Sequence, residues 1–256
     1  MLTPAQHAEW EHDGWLVLRD ALDADHVARI TGWVDEVAAW ADLDGGPGLH
    51  HRELADDGPV LARTELFADA HDGLGSLLRT GLIVEVLAEL FGEAAVLFKE
   101  KVNYKHAGGG GFAPHQDAAA YRFVDHHISV AVPVDAATVA SGCLWFAPGH
   151  GAGMLPTDAR GCIADDIVAE LSWRPVELEP GDIVFFDSYA PHRSETNTSG
   201  HSRRTLYLTY NAATAGDLRE QYYADKLAEF ARVGDTVDGE RVRISVIDDF
   251  LGRPVA

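Results

Sequence analysis

The stretch AVLFKEKVNYK, residues 95–105, marks the point where the character of the chain changes. Lys101 and Asn103 share one face of an extended strand there, and Val102 and Tyr104 share the other, because successive side chains of a strand point to opposite faces. Four further β-rich runs follow: HHISVAVPV (126–134), GCLWFAPG (142–149), WRPVELEPGDIVFFD (173–187) and RRTLYLTYNA (203–212). Short runs separated by Gly, Pro and Asp are typical of antiparallel strands in a sandwich or barrel.

Helices are predicted on both sides of this β-rich region. Thr3-Pro4 is an N-cap followed by proline at the first helical position, so a helix begins there. Apolar residues at helical spacing predict two more, over Asp25–Trp40 and Leu74–Phe91, and a last one over Leu218–Ala231. The glycine-rich segment GGPGLHHRE, residues 45–53, is predicted to be a loop.

These elements predict one domain that is mainly β with flanking helices. A helical region covers about residues 1–94, a β core about 95–215 and a C-terminal helix about 218–231 of the 256 residues. A length of this order is ordinary for a single sandwich or barrel domain, and we find no internal repeat or linker. The tryptophans of the N-terminal part are expected to pack in the core and between helices.

The composition excludes several classes of partner. The chain is 46% hydrophobic and 24% charged, with a formal net charge of −21, which disfavours binding to nucleic acid or to an anionic membrane surface. No apolar stretch reaches transmembrane length, and the first residues lack a signal peptide's basic start and apolar core. With two cysteines and no disulfide framework, we expect a cytoplasmic protein. We also expect a monomer or homodimer whose partner is a small-molecule substrate.

The motif FAPHQDAAAY, residues 112–121, contains the first candidate ligands. His115 and Asp117 are two residues apart and converge on one point if the backbone between them is extended. His192, which follows the apolar run IVFFD and a turn, is the candidate third ligand from a distant strand. Two histidines and one carboxylate form the facial triad that leaves positions open on iron, although zinc also accepts such a set.

A downstream arginine favours iron over zinc at this site. Arg203 lies eleven residues after His192 and starts the run RRTLYLTY. Arg203 and Thr205 share one strand face, and a buried guanidinium can bind a carboxylate through two hydrogen bonds. Such a group fits the distal carboxylate of 2-oxoglutarate. If the strand phase differs by one residue, Arg204 takes this role instead.

Taken together, these motifs resemble the phytanoyl-CoA dioxygenase family of iron(II)/2-oxoglutarate-dependent oxygenases. The resemblance rests on H-x-D, a distal histidine and an arginine eleven residues later, and also on GCLWFAPGH (142–150), PGDIVFFD (180–187) and the opening GWLVLRDALDADHVARI (14–30). It implies a double-stranded β-helix, that is, a jelly-roll or cupin-like fold. It also implies Fe(II), with 2-oxoglutarate and O2 as co-substrates.

The resemblance further implies roles for individual residues. His115, Asp117 and His192 would bind iron and form the catalytic centre. Arg203 would hold the distal carboxylate of 2-oxoglutarate, assisted by Thr205 and Ser194. Three further residues occupy positions that contact the co-substrate or form aromatic walls in relatives: Asn103, Phe112 and Tyr121.

The expected reaction is hydroxylation of a C–H bond. Related halogenases replace the carboxylate ligand by a small residue, whereas Asp117 is present here. The segments around HQD and at 208–226 resemble members that act on small polar molecules such as aminoalkylphosphonates, and no basic tract suits the 3′-phosphate of coenzyme A. The alternatives are a natural-product tailoring oxygenase (hydroxylation, desaturation, cyclisation or epimerisation), a cupin-type metal hydrolase or isomerase, and a non-catalytic binding protein.

Other polar residues have ordinary structural interpretations. The run Gly108–Gly111 lacks the ending of a phosphate-binding loop and is predicted to be a turn. The remaining histidine pairs, at positions 7 and 12, 50 and 51, and 126 and 127, are predicted to be structural or surface residues. Lys99, Lys101 and Lys105 either line a solvated strand edge or enter the cavity and meet an anionic substrate, and the sequence leaves both interpretations open.

Overall fold

The computed structural model describes residues 1–55, 58–120, 124–158, 161–233 and 254–255, and antiparallel sheet dominates these ranges. The strands are β1 (Trp15–Leu18), β2 (Leu49–Ala55), β3 (Gly58–Glu65), β4 (Ala95–Lys105), β5 (Gly111–His115), β6 (Ile128–Pro133), β7 (Leu144–Phe146), β8 (Arg174–Val176), β9 (Ile183–Asp187), β10 (His192–Ser194), β11 (Arg203–Ala212) and β12 (Pro254–Val255). The prediction of a mainly β fold is confirmed.

Helices flank the strands. They are α1 (Pro4–Asp13), α2 (Ala24–Ala39), α3 (Asp72–Arg79), α4 (Leu82–Phe91), α5 (Asp165–Glu170) and α6 (Arg219–Val233). The predicted start of α1 is confirmed, since the Thr3 side chain and the N3 residue Gln6 form a reciprocal capping box. The helix predicted over 25–40 corresponds to α2, and the one predicted over 218–231 corresponds to α6.

The strands form two sheets. A seven-stranded sheet has the order β1-β9-β6-β11-β4-β3-β2, and a five-stranded sheet has the order β12-β5-β10-β7-β8. Buried residues from both sheets, among them Trp15, Phe146 and Phe186, belong to one apolar cluster, so the sheets face each other. Trp15 stacks on Phe146 with ring centroids 5.2 Å apart.

The pairing of β4 with β11 organises the larger sheet. Thr205 pairs with Asn103 and Tyr207 pairs with Lys101 in antiparallel register. Because side chains alternate along a strand, these residues face the second sheet. The intervening Leu206 faces the opposite way, into a core that includes the apolar faces of α2, α3 and α4. The larger sheet is therefore covered by helices on one side and by the smaller sheet on the other.

Two predictions for the N-terminal third were wrong. The helix predicted over 74–91 is two helices, α3 and α4, separated at Thr80 and Gly81. Gly81 has a φ of 74°, a backbone conformation that ends a right-handed helix. The loop predicted over 45–53 instead enters strand β2, which pairs with β3, so the first 94 residues are not purely helical. The single-domain organisation stays a prediction.

A buried carboxylate fastens the C-terminal helix to the sheet. Glu100 of β4 is fully buried and accepts hydrogen bonds from the backbone amides of Phe67 and Ala68, each at 2.9 Å. Both terminal nitrogens of Arg219 on α6 also bind it, Nη2 at 2.7 Å. Burial raises the pKa of Glu100, and Arg219 opposes that shift. The pair joins α6, β4 and the loop before α3.

We predict that Arg219→Met lowers the free energy of unfolding by about 3–5 kcal/mol at neutral pH, because it leaves a buried charge without its partner. Without Arg219 the pKa of Glu100 lies further above its unfolded value, so the loss should shrink as pH falls and the carboxyl protonates. Urea unfolding at two pH values measures both effects. Arg29→Met, on an exposed turn of α2, is the matched control, and equal losses in the two variants would contradict the prediction.

Candidate active site

A cavity of about 130 Å³ lies between the two sheets. The seven-stranded sheet contributes cavity-lining residues of β2, β3, β4, β6, β9 and β11, and the smaller sheet contributes residues of β5, β7 and β10. The predicted site residues among its lining are Asn103, Phe112, His115, Asp117, His192, Ser194 and Arg203. Thr205 contacts the cavity residue Arg203, because its Oγ1 accepts a hydrogen bond from Nη1 of Arg203. Tyr121 lies outside the described residues.

The H-x-D motif is held by the residue between its two members. His115 is the last residue of β5, and Gln116 is extended (φ −122°, ψ 130°) before a short 3₁₀ turn starting at Asp117. The side chain of Gln116 is buried on the opposite side. Its Nε2 donates to the carbonyls of Gly153 (2.9 Å) and Tyr189 (2.7 Å). This anchoring leaves His115 and Asp117 on the same side, as the sequence predicted.

His192 reaches the same point from the neighbouring strand. It is the direct cross-strand partner of His115, and the two ring centroids are 4.1 Å apart. Each ring is oriented by a backbone carbonyl two residues earlier in the chain. Nδ1 of His115 lies 2.8 Å from the carbonyl oxygen of Ala113, and Nδ1 of His192 lies 2.9 Å from that of Ala190. When Nδ1 donates to a carbonyl, Nε2 of the neutral ring is the ligand atom.

The three ligand atoms surround one small space. Nε2 of His115 is 3.8 Å and Nε2 of His192 is 3.6 Å from Oδ1 of Asp117. The other carboxylate oxygen of Asp117 accepts a 2.8 Å hydrogen bond from Oγ of Ser129 on β6, which fixes the carboxylate plane. All three ligand atoms lie within 4.8 Å of one another.

The electrostatics suit a cation. Burial, and next the proximity of His192, lowers the pKa of His115 to about 3, so its ring is neutral near pH 7. Burial acts to raise the pKa of Asp117, but His192, His115, Lys99 and Lys101 outweigh that effect and lower it to about 2. Neutral imidazole and ionised carboxylate are the states that bind a metal. The donor set therefore fits a 2-His-1-carboxylate centre.

The two adjacent arginines have different environments. Arg203 is buried and lines the cavity. Its Nη1 donates to Oγ1 of Thr205 at 2.7 Å, and its Nε donates to the carbonyl of Ser141 at 3.1 Å. Arg204 points away and pairs with Asp135, with Nε 2.8 Å from the carboxylate. The structure thus places Arg203 rather than Arg204 in the cavity.

Lys105 lies beside Arg203. Nη2 of Arg203 and Nζ of Lys105 both donate to the carbonyl of Gly142, at 2.6 Å and 3.3 Å. Nζ also lies 3.2 Å from Oγ of Ser194. Burial, and next the charge of Arg203, lowers the pKa of Lys105 to about 7.

Two glycines allow neighbouring chain segments to approach closely around Lys105 and Ser194. A Cβ on Gly142, whose φ is 71°, would collide with the carbonyl oxygen of Glu195 and with Nζ of Lys105. A Cβ on Gly111 would collide with the carbonyl oxygen of Ser194. Gly111, the last glycine of the run at 108–111, therefore lets β5 lie close to the end of β10. The rest of that run forms the predicted turn.

Asn103 has a side-chain oxygen that is buried and lacks a hydrogen-bond partner in the described residues. It lies on the cavity face of β4, paired with Thr205. Because amide oxygen and nitrogen positions are assigned from the hydrogen-bond network, this side chain can present either an acceptor or a donor to a ligand. An unsatisfied buried amide in a cavity is a feature that a polar ligand would correct.

Sequence reasoning missed two contributors to the site. Ser129, which orients Asp117, is a polar residue within the apolar run ISVAV, and that interruption was the available signal. Arg63 lines the cavity from β3, in the region predicted to be helical. The three lysines of β4, for which two interpretations were open, all line the cavity.

The six remaining histidines singled out in the sequence lie elsewhere in the described chain. His126 lies 2.8 Å from Asp187 and His7 lies 2.8 Å from Glu89. The ring of His127 is buried with its centroid 5.0 Å from that of Phe98. The others contact neighbours in the same way: His12 with Asp13, His50 with Pro47, and His51 with Glu65.

Comparison with known proteins identifies the family. The profile of the phytanoyl-CoA dioxygenase family matches residues 10–205. The methylphosphonate hydroxylase of Gimesia maris is 46% identical over 99% of this chain and 97% of its own length. The 2-aminoethylphosphonate dioxygenase of an uncultured bacterium, HF130_AEPn_1, is 37% identical over 99% and 98%. The chain belongs to the phytanoyl-CoA dioxygenase family.

Solved structures show the same fold. EctD from S. alaskensis, crystallised with 2-oxoglutarate and 5-hydroxyectoine, superposes with a TM-score of 0.71 at 21% identity, over 84% of this chain and 77% of that one. The epimerase SnoN, in complex with Fe3+, alpha-ketoglutarate and nogalamycin RO, gives 0.70 at 20% identity over 98% and 94%. The predicted double-stranded β-helix is confirmed.

Family membership and the His–Asp–His cluster also confirm the predicted enzyme class. The protein is a dioxygenase whose cofactors are iron(II), 2-oxoglutarate and O2, and it acts on a small molecule. No helix among the described residues is long and apolar enough to cross a membrane.

We expect Asp117→Ala and His192→Ala each to weaken binding of Fe(II) or Co(II) by roughly a hundredfold or more, since loss of mere orienting partners already costs 10–100-fold. The fold should persist, because Gln116 and the strand pairing hold the backbone. Metal content after gel filtration and the thermal melt measure the two effects. His126→Ala is the control histidine, and full metal occupancy in the triad variants would contradict the assignment.

Proposed function

We propose that the protein hydroxylates a C–H bond next to phosphorus in a small alkylphosphonate, with methylphosphonate as the preferred substrate. One observation carries this proposal: the charge of the cavity is opposite to that of the protein. The net charge is −21, yet the described cavity-lining residues include six cationic side chains and two carboxylates. The cations are Arg63, Lys99, Lys101, Lys105, Arg193 and Arg203, and the carboxylates are Glu53 and Asp117.

Two anions account for such an excess of cations. 2-Oxoglutarate carries two carboxylates, and a phosphonate carries up to two charges near neutral pH, as a phosphate monoester does. The charged groups act in a partly buried cavity, where electrostatic attraction is stronger than in water. The relatives named methylphosphonate hydroxylase and 2-aminoethylphosphonate dioxygenase support this substrate class.

Each predicted site residue within the described part of the chain has a role in this proposal. His115, Asp117 and His192 hold the metal, with Ser129 orienting Asp117. Arg203, fixed by Thr205, binds the distal carboxylate of 2-oxoglutarate, and Ser194, Asn103 and Phe112 line its path. Bound iron with 2-oxoglutarate and O2 supplies the oxidation. One oxygen atom enters the substrate as hydroxyl and the other enters succinate, with release of CO2.

The lining also bears on the choice between the two phosphonates. The ammonium group of 2-aminoethylphosphonate needs an anionic or carbonyl partner. Within the described lining, Glu53 on β2 is the carboxylate outside the triad. The aminoalkylphosphonate interpretation therefore depends on Glu53, whereas methylphosphonate needs only cations. A cytoplasmic location and a monomeric or dimeric state stay predictions.

The first test is turnover of candidate substrates. Methylphosphonate, 2-oxoglutarate, Fe(II) and O2 should give hydroxymethylphosphonate and succinate in equal amounts, followed by ³¹P NMR and by succinate analysis. 2-Aminoethylphosphonate should be turned over less efficiently. Formation of the Fe(II)–2-oxoglutarate charge-transfer band without oxidation of either phosphonate would overturn the substrate assignment and favour a natural-product tailoring oxygenase.

A second test uses the pKa of Lys105. The lysine is cationic below its pKa of about 7 and neutral above it, so affinity for dianionic 2-oxoglutarate should fall as pH rises from 6 to 8, by roughly tenfold. Besides Arg203, the ionisable groups facing Lys105 are Cys143, Glu195 and Glu53. Anaerobic titrations of the charge-transfer band measure the affinity. Lys105→Met should remove the pH dependence of the 2-oxoglutarate affinity. Arg204 faces away from the cavity, so the control variant Arg204→Met should keep that dependence. The same pH dependence in both variants would contradict the role of Lys105.

A further inference from the structure

We propose that Ser129 is a positioning residue that keeps Asp117 a one-oxygen ligand of the metal. Its hydroxyl holds Oδ2 of the carboxylate, so that Oδ1 alone is left to bind the ion. The consequence is one more open coordination position than a carboxylate bound through both oxygens would leave. This inference goes beyond the proposed function, because it concerns the metal centre and holds for any substrate of the enzyme.

The two oxygens of Asp117 have different surroundings. Oδ1 faces the imidazole ligand atoms, 3.8 Å from Nε2 of His115 and 3.6 Å from Nε2 of His192. Oδ2 lies 2.8 Å from Oγ of Ser129. A carboxylate that binds a metal is ionised and can only accept hydrogen bonds, so the proton of this bond comes from the serine. Oδ1 therefore borders the space between the ligands, and Oδ2 is occupied by the hydroxyl.

Ser129 is fixed more firmly than Asp117. It lies on the fully buried strand β6, where it is paired with Phe186 of β9 on one side and with Thr209 of β11 on the other. Asp117 instead begins a short 3₁₀ turn, and 18% of its side chain is exposed. The terminal torsion of an aspartate is broad and roughly two-fold, so an unrestrained carboxylate turns easily. The serine restrains it from a rigid strand.

The direction of the hydrogen bonds of Ser129 follows from its chemistry. A hydroxyl has one proton, and the contact with Asp117 at 2.8 Å is shorter than the contact with Oγ1 of Thr209 at 3.5 Å. Ser129 therefore donates to the carboxylate and can only accept from the threonine. The residue is 3% exposed, and a hydroxyl buried in an apolar strand is costly unless it is hydrogen-bonded. The bond to the carboxylate offsets that cost.

The number of oxygens that Asp117 provides decides how many positions stay open. With one atom from each ligand, a six-coordinate iron keeps three positions. The keto acid end of 2-oxoglutarate needs two of them, and one remains for O2. Carboxylates also bind metals through both oxygens, and that mode would occupy the last position. Holding Oδ2 on Ser129 therefore keeps the metal accessible to O2 once the co-substrate is bound.

The experiment uses nitric oxide as a stable analogue of O2. Its binding to the anaerobic Fe(II)–2-oxoglutarate enzyme is followed by electron paramagnetic resonance. Ser129→Ala should weaken nitric oxide binding by about tenfold to a hundredfold, the range for one hydrogen bond to a charged group. Its affinity for Co(II) should stay near that of the wild type, because the released oxygen becomes a second ligand atom. Loss of a partner that only orients a ligand would cost roughly 10–100-fold in metal affinity.

Two variants serve as controls. Ser129→Thr keeps a hydroxyl at the same position and should retain nitric oxide binding. Ser188→Ala removes the hydroxyl of another buried serine, whose Oγ accepts a hydrogen bond from the backbone amide of His127. It should leave both affinities unchanged. The thermal melt of each variant shows that it is folded.

The outcomes separate positioning of the carboxylate from a structural role. Unchanged nitric oxide binding in folded Ser129→Ala, or a large loss of Co(II) affinity, overturns the proposal. A crystal structure of the Co(II)-loaded wild-type enzyme tests it without any variant: Oδ2 bonded to Ser129 supports it, and both oxygens bound to the metal overturn it. None of these measurements uses a phosphonate, so the proposed function and this inference can fail separately.

Discussion

The antiparallel register between β4 and β11 is the constraint on which the rest of the structure depends. It places Asn103 opposite Thr205 and Lys105 opposite Arg203, so that one face of the sheet carries hydroxyl, amide and cationic groups. The other face carries residues such as Val102 and Leu206, packed under the helices. A slip of one residue would exchange these faces, burying lysines against helices and exposing leucines to the cavity. Apolar burial and cavity chemistry thus enforce the same register.

Much of the site could be predicted because its information is local. His115 and Asp117 converge on account of one extended residue, Gln116. The eleven-residue spacing from His192 and the face shared with Thr205 favoured Arg203 over Arg204. The distal His192 required a longer argument, from an apolar strand followed by a turn. The resemblance to a known family then supplied the fold, which alternation alone limited only to a sandwich or barrel.

The missed features depend on tertiary context. The helix predicted over 74–91 breaks at Gly81, where apolar spacing continues across a backbone conformation that no helix can contain. Strand β2 was interpreted as a loop because of its glycine-rich approach, and with it the cavity residue Arg63 on β3 was missed. Lys105 donates hydrogen bonds to the backbone carbonyls of Gly142 and Glu195. The positions of backbone carbonyls cannot be inferred from a pattern of residue types.

The orientation of the two histidine rings has a consequence for how metal binding and folding are related. Each ring is oriented by a backbone carbonyl two residues earlier in the chain, and Asp117 is oriented by Ser129, so the cation is not needed to assemble its ligands. In small zinc domains the free energy of metal binding supplies the free energy of folding, so the chain is unfolded without its metal. Here a folded apoprotein can lose and regain its ion. Metal then adds stability only by mass action, in proportion to the logarithm of its concentration relative to its dissociation constant. Oxidised or lost iron is replaceable without unfolding the chain.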